Sequence, residues 1–187
     1  MTCRNFLRLM AAVAAVVRVA PLAAQASTVI LVRHAEKASS TRDAELSEAG
    51  RARAQALSAV LANYPLSAVI VSEYRRTQET AGPAATSNHL VPTVVPVSGD
   101  PTISATSVAL VLRQLPAGSA ALVVGHSNTL APIIAALGGP RLPDLCDTEY
   151  ATIYVLELSG AGPTPRLLRA SYGLADPPEA GCCDHDR

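Results

Sequence analysis

Apolar and polar positions along this chain follow two periods in alternation. Val29-Ile30-Leu31-Val32 and Ala120-Ala121-Leu122-Val123-Val124 are unbroken apolar runs, the pattern of strands covered on both faces. The runs predict strands at 28–32, 68–71, 91–97, 120–124, 152–158 and 166–170, and the segments between them predict helices at 47–63, 75–87, 104–114 and 127–137. In the first helix Ala52, Ala56, Leu57, Val60 and Leu61 form a stripe at helical spacing. Ser47 followed by Glu48 supplies an N-cap and an acidic first turn. Strands alternating with helices predict an α/β fold, a three-layer α/β/α sandwich around a mostly parallel sheet. No repeat or linker divides it, so one domain is expected over 27–175, followed by a Pro-containing tail at 176–187.

The first 26 residues read differently. Arg4 and Arg8 precede the apolar stretch 9–17, and Ala24-Gln25-Ala26 stands before Ser27. A basic start, a short apolar run and a small-residue site are the marks of a secretory signal peptide. The expectation is export to the periplasm or the medium. Arg18 interrupts the apolar run, which argues against a membrane span of about 20 residues. Removing 1–26 also removes Arg4, Arg8 and Arg18, leaving twelve basic residues against fifteen acidic ones. Such a mildly acidic chain shows no electrostatic footprint for nucleic acid. In an oxidising compartment Cys146, Cys182 and Cys183 can pair, Cys146 with one of the adjacent two, though sequence does not fix the connectivity. Adjacent cysteines lack the spacing of a metal chelate, and no metal or cofactor is expected.

The chemistry gathers at strand ends. The first buried run delivers Arg33 and His34 at its carboxyl end, and the run 120–124 delivers Gly125-His126-Ser127. In open α/β sheets ligands bind beyond the carboxyl ends of the strands, so two histidines and an arginine can converge on one anion.

Four ordered motifs carry a resemblance: Val32-Arg33-His34-Ala35-Glu36, the segment 46–54 beginning Leu46-Ser47-Glu48-Ala49-Gly50, the segment 72–81 running from Ser72 through Arg75, Arg76 and Thr80 to Ala81, and Gly125-His126-Ser127. Together they resemble the histidine phosphatase superfamily, the phosphoglycerate-mutase-like proteins, with Ala35 where Gly is usual. The resemblance implies a phosphoglycerate-mutase-like fold and a covalent mechanism, in which His34 attacks phosphorus and water later hydrolyses the phosphohistidine. Charge on the equatorial oxygens is then met by Arg33, Arg76 and His126. Arg76 rather than Arg75 is implied because the family's active arginine stands four residues before the Thr, here Thr80. Guanidinium forks suit phosphate oxygens, in keeping with a chain that holds a single lysine. Ser127 or Asn128 caps the following helix, and Ser127 is a further candidate donor to phosphate.

A leaving alkoxide needs a proton, and larger members of the family carry a Glu in an insertion after the third strand. This chain lacks the insertion. Asp100, within Val97-Ser98-Gly99-Asp100-Pro101, is the positional candidate for the acid, with Glu36 beside the nucleophile as its rival, while turn chemistry alone also accounts for Asp100. A mutase needs a lid that keeps water from its intermediate. The short domain leaves little sequence for one, so hydrolysis of a small phosphomonoester is expected. Two alternatives stay open: a phosphohistidine or phosphoprotein phosphatase, which the compact length resembles, and a phosphate-binding module of the same fold with weak catalysis.

Overall fold

The computed structural model describes residues 27–158 and 164–177. The signal-peptide reading of 1–26 and the cysteines of the tail lie outside the described residues. Six strands and four helices follow one another as β1 (Ser27–Arg33), α1 (Glu48–Val60), β2 (Ala68–Val71), α2 (Arg75–Ser87), β3 (Thr93–Val94), α3 (Pro101–Arg113), β4 (Ala120–Gly125), α4 (Leu130–Ala136), β5 (Thr152–Leu158) and β6 (Arg166–Ser171). They form one sheet in the order β3-β2-β4-β1-β5-β6. The first four strands in that order run parallel, and β5 and β6 add antiparallel pairs at one side.

Burial explains the unbroken apolar runs. Val29 and Leu31 of β1 join Ile70, Val108, Leu112, Leu130 and Ile133 in one core. Ile30 and Val32, pointing the other way, join Leu57, Leu61, Val69, Ala81 and Ala84 in a second. A strand alternates its side chains between faces, and here each face meets its own helix pair: α1 packs with α2, and α3 with α4. Leu31 is fully enclosed, and truncating such a residue to Ala costs about 2–5 kcal/mol.

Among the boundaries that differ from the sequence pattern, three have a clear local reason. The strand expected over 91–97 shrinks to Thr93–Val94. Pro92 and Pro96 lack the N–H a ladder needs, and this is the sheet's edge. Helix α3 starts early, at Pro101, because Asp100 caps it and Pro suits the first turn. Helix α4 starts late, at Leu130, with Thr129 rather than Ser127 or Asn128 at its N-cap. The intervening turn is closed by Thr129, whose N–H donates to the His126 carbonyl at 3.1 Å and whose Oγ1 accepts from the His126 N–H at 2.8 Å.

Candidate active site

Register places the two histidines. β1 and β4 pair in parallel with Arg33 opposite Gly125, and the His34 N–H continues the ladder to the Gly125 carbonyl at 2.9 Å. His34 and His126 therefore leave neighbouring strands at the same height, their ring centroids 5.3 Å apart and edge to face. Both are buried, 4% and 8% exposed.

The backbone fixes the tautomer of His34. Its Nδ1 lies 2.9 Å from the Ala35 carbonyl. A carbonyl only accepts, so Nδ1 carries the proton and Nε2 keeps its lone pair. Burial is the largest cause that pushes His34 from its ordinary 6.5 down to about 3; the Ala35 carbonyl opposes this, while His126, Arg33 and Arg76 add to it. His126 falls to about 4, again through burial first and then through Arg76 and Arg33. Arg76 Nη2 approaches His126 Nδ1 at 3.4 Å, and His126 Nε2 lies 3.1 Å from Ser72 Oγ. A guanidinium only donates, which leaves the His126 proton on Nε2, facing Ser72.

The loop bearing His34 is tied down from two sides. Ala35 N–H donates to Thr80 Oγ1 at 2.9 Å, and the same hydroxyl donates to the Arg76 carbonyl at 2.6 Å. Thr80 thus joins the nucleophile's loop to the backbone of Arg76 on α2. On the other side, a Cβ at Gly50 would lie 2.3 Å from the Glu36 carbonyl oxygen, so the glycine lets α1 press against the segment that follows His34.

The two arginines expected at the site sit on either side of the histidines. Arg33 Nη1 donates to the carbonyls of Cys146, Asp147 and Glu149 at 2.6, 3.0 and 3.3 Å. Arg76 Nη1 donates to the Arg42 carbonyl at 2.7 Å. The Nε atoms of both are buried with no hydrogen-bond partner among the described residues, an exception among buried donors. Arg75, by contrast, is exposed and pairs with Glu45 and Glu79.

Glu36, the rival candidate for the acid, is held in an ion pair. Arg53 Nε donates to its two carboxylate oxygens at 2.9 and 3.1 Å and Nη2 to Oε1 at 2.7 Å, so both oxygens are spent on a buried guanidinium. Asp100 is the exposed N-cap of α3, its Oδ1 accepting from the Thr102 N–H at 2.7 Å. Ser127 is half-buried in the turn, and its carbonyl accepts from the Leu145 N–H at 3.1 Å. Cys146 is disulfide-bonded, and the pairing expected with Cys182 or Cys183 lies outside the described residues. Asp176, read from sequence as the first tail residue, accepts from the N–H groups of Tyr150 and Ala151 and pairs with Arg53 at 3.6 Å. Among the described residues no group of three or more His, Cys, Asp or Glu is placed to hold a metal ion, and no helix is long and apolar enough to cross a membrane.

Sequence reasoning missed Tyr74, Tyr150 and the carbonyls of 146–149. Thr80 it used only as a landmark for counting back to Arg76. The available signal was scarcity, since the chain has five Tyr, one Phe and no Trp, and two of those tyrosines stand here.

Comparison with known proteins agrees with this geometry. No curated protein matches the sequence. Residues 29–98 match the family model of the histidine phosphatase superfamily, branch 1. Among solved structures, the fold is similar to "Mycobacterial hydrolase 2" at TM-score 0.63 and 19% identity, covering 81% of this chain and 94% of that one. It is similar to mycobacterial glucosyl-3-phosphoglycerate phosphatase at TM-score 0.57 and 19% identity, covering 78% and 97%. The protein histidine phosphatase SixA, solved with tungstate, matches at TM-score 0.59 and 17% identity, covering 77% and 96%. Residues 29–98 thus resemble the histidine phosphatase superfamily, branch 1, and the α/β sandwich around them has the fold of these small single-domain solved structures.

Proposed function

We propose that the protein is a phosphatase that hydrolyses small phosphomonoesters through a phosphohistidine on His34. The observation that carries this reading is the neutral His34, its Nδ1 proton held by the Ala35 carbonyl, set between two arginines with unpaired buried Nε–H groups. Nε2 attacks phosphorus in line, the P–N bond forms, and the P–O bond breaks with its electron pair leaving on oxygen. Water then cleaves the P–N bond, releasing inorganic phosphate and restoring neutral His34. Arg33 and Arg76 meet the equatorial charge. The names of the solved relatives, phosphatases of a glucosyl phosphoglycerate and of protein histidine, support phosphate chemistry in this fold.

The test is to incubate the purified protein with an aryl phosphate without added metal, quench in alkali and locate the phosphoryl group by mass spectrometry. Turnover with an alkali-stable, acid-labile label on His34 is expected. Turnover with no label on His34 under fast quenching would overturn the covalent route.

One observation favours the second reading, a phosphohistidine or phosphoprotein phosphatase. Around the site the carboxylates are occupied with structure: Glu36 holds Arg53, Glu149 holds Arg169 and Thr152, Glu73 accepts from the Val97 N–H, and Asp100 caps α3. A substrate whose leaving group departs without a strong acid suits such a site. Rates across aryl and alkyl phosphates separate the two readings. A shallow dependence on leaving-group pKa that steepens in Asp100→Asn makes Asp100 the donor; a steep dependence in both favours the second reading. The signal-peptide pattern supports export, which residues 1–26 fused to a reporter active only outside the cytoplasm would test.

A further inference from the structure

Arginines that bind phosphate must be held in place yet keep their charge, and here each lies over a tyrosine ring. The Arg33 guanidinium carbon lies 4.3 Å from the ring centroid of Tyr150, and that of Arg76 lies 4.3 Å from the ring centroid of Tyr74. Each tyrosine also approaches a histidine: Tyr74 meets His126 edge to face at 5.6 Å, and Tyr150 stands 6.3 Å from His34. We propose that Tyr150 and Tyr74 are positioning residues whose ring faces fix Arg33 and Arg76 without neutralising them. This rests on the phosphate-binding reading of the site given above.

A buried arginine in the same chain shows the alternative. Arg53, 5% exposed like Arg33, is fixed by both carboxylate oxygens of Glu36, by Asp176 and by the carbonyls of Tyr172 and Leu174. That arrangement cancels the charge and leaves no Nε–H orphaned. Arg33 and Arg76 are held otherwise. The carboxylate within ion-pair distance of Arg33 is Asp147 at 3.8 Å, whose side chain is 98% exposed and screened by water; Arg76 has none within that distance among the described residues. Their other contacts are backbone carbonyls and His126. A ring face attracts a cation through its quadrupole and is strongest where water is excluded, but it carries no net charge. The ring therefore orients the cation without adding an opposing charge of its own. Tyr74 adds a second tie, because its hydroxyl accepts from Arg42 Nε at 3.1 Å while the Arg42 carbonyl receives Arg76 Nη1. Ring, loop and arginine close a circuit.

The experiment compares Tyr150→Phe with Tyr150→Leu, and Tyr74→Phe with Tyr74→Leu, in the full-length chain. Three quantities are read: the dissociation constant of inorganic phosphate by calorimetry, kcat and KM with an aryl phosphate, and the melting temperature. The Phe variants keep the ring face and hold phosphate within about threefold of the parent, whereas the Leu variants weaken it roughly tenfold, in the range of a desolvated cation–π contact. Equal phosphate affinity in the Leu and Phe variants overturns the proposal. So does equal loss in both, which would transfer the role to the hydroxyl. Should a Leu variant melt early, Tyr→His, which keeps a flat ring, is compared with Tyr→Gln, which does not, at matched stability. If the parent binds phosphate but does not turn over, the hydrolysis reading fails while the comparison of affinities still decides this one. If the parent binds no phosphate, both fall.

Discussion

The two halves of the site are built to different standards. On the proposed phosphate side, strand register, a carbonyl-fixed tautomer and a shared threonine hydroxyl fix His34 and its loop, and two tyrosine rings face the arginines. On the leaving-group side stand a two-residue edge strand, a proline-broken segment and an exposed aspartate used as a helix cap. On the covalent route proposed above, the fold prepares the attacking imidazole and does not prepare an acid for the group that departs. Catalysis is fastest where interactions are fixed before the transition state arrives, so the substrate's own leaving group must make up the difference.

The largest effect is expected at His34. His34→Ala is expected to lower turnover of an aryl phosphate by about 10⁴-fold or more while inorganic phosphate still binds; residual activity within tenfold of the parent would move the nucleophile elsewhere. Arg76→Lys keeps the charge and loses the planar fork, and kcat/KM is expected to fall about 100-fold; a change under threefold would show that the charge alone suffices. Acid reaches the buried histidines through stability. The folded histidines titrate near 3 and 4, below their ordinary 6.5, so the unfolded chain takes up more protons as pH falls through 6.5. Stability is held above that pH and declines progressively towards pH 4, by roughly 2 kcal/mol between pH 7 and 5.5 for the pair. Urea titrations at those two values, with NMR of the imidazoles, check this; imidazole midpoints near 6.5 would contradict it.

Smaller effects probe the joint between the halves. Thr80→Val leaves the buried Ala35 N–H unpaired and is expected to cut kcat about tenfold with little change in KM, because the nucleophile rather than the binding is disturbed. A shift confined to KM would refute that assignment. Asp100→Asn is expected to change aryl phosphate turnover by less than about threefold, since such leaving groups need little proton; a large loss there would make Asp100 indispensable and the leaving-group side better equipped than its geometry suggests.

How much of this was legible in the sequence divides along the same line. Unbroken apolar runs and strand-end histidines follow from burial on both faces of the sheet, and 68–71, 75–87 and 152–158 matched in full. Residues whose roles depend on contacts far along the chain were invisible: Tyr150 is more than a hundred positions from the arginine it holds, and Glu36 looked available until Arg53 claimed it. Burial of His34, more than repulsion by Arg33 and Arg76, sets its neutrality, and burial of a single ring is not written in local pattern. Capping was half legible, since Ser47 does cap α1 while Thr129 displaced Ser127 by closing the turn first.

The parallel pairing of β1 with β4, Arg33 opposite Gly125, ties the two histidines to the central strands of the sheet. The His34 N–H is itself a rung of that central ladder, and a slip of one residue would turn one histidine to the opposite face. The distance between the two rings therefore cannot drift by small local fraying at the sheet's edges. Hydrogen exchange at the His34 amide and loss of turnover should share one opening free energy, that of global unfolding, so that a simple activity assay doubles as a gauge of whether the whole sheet is intact.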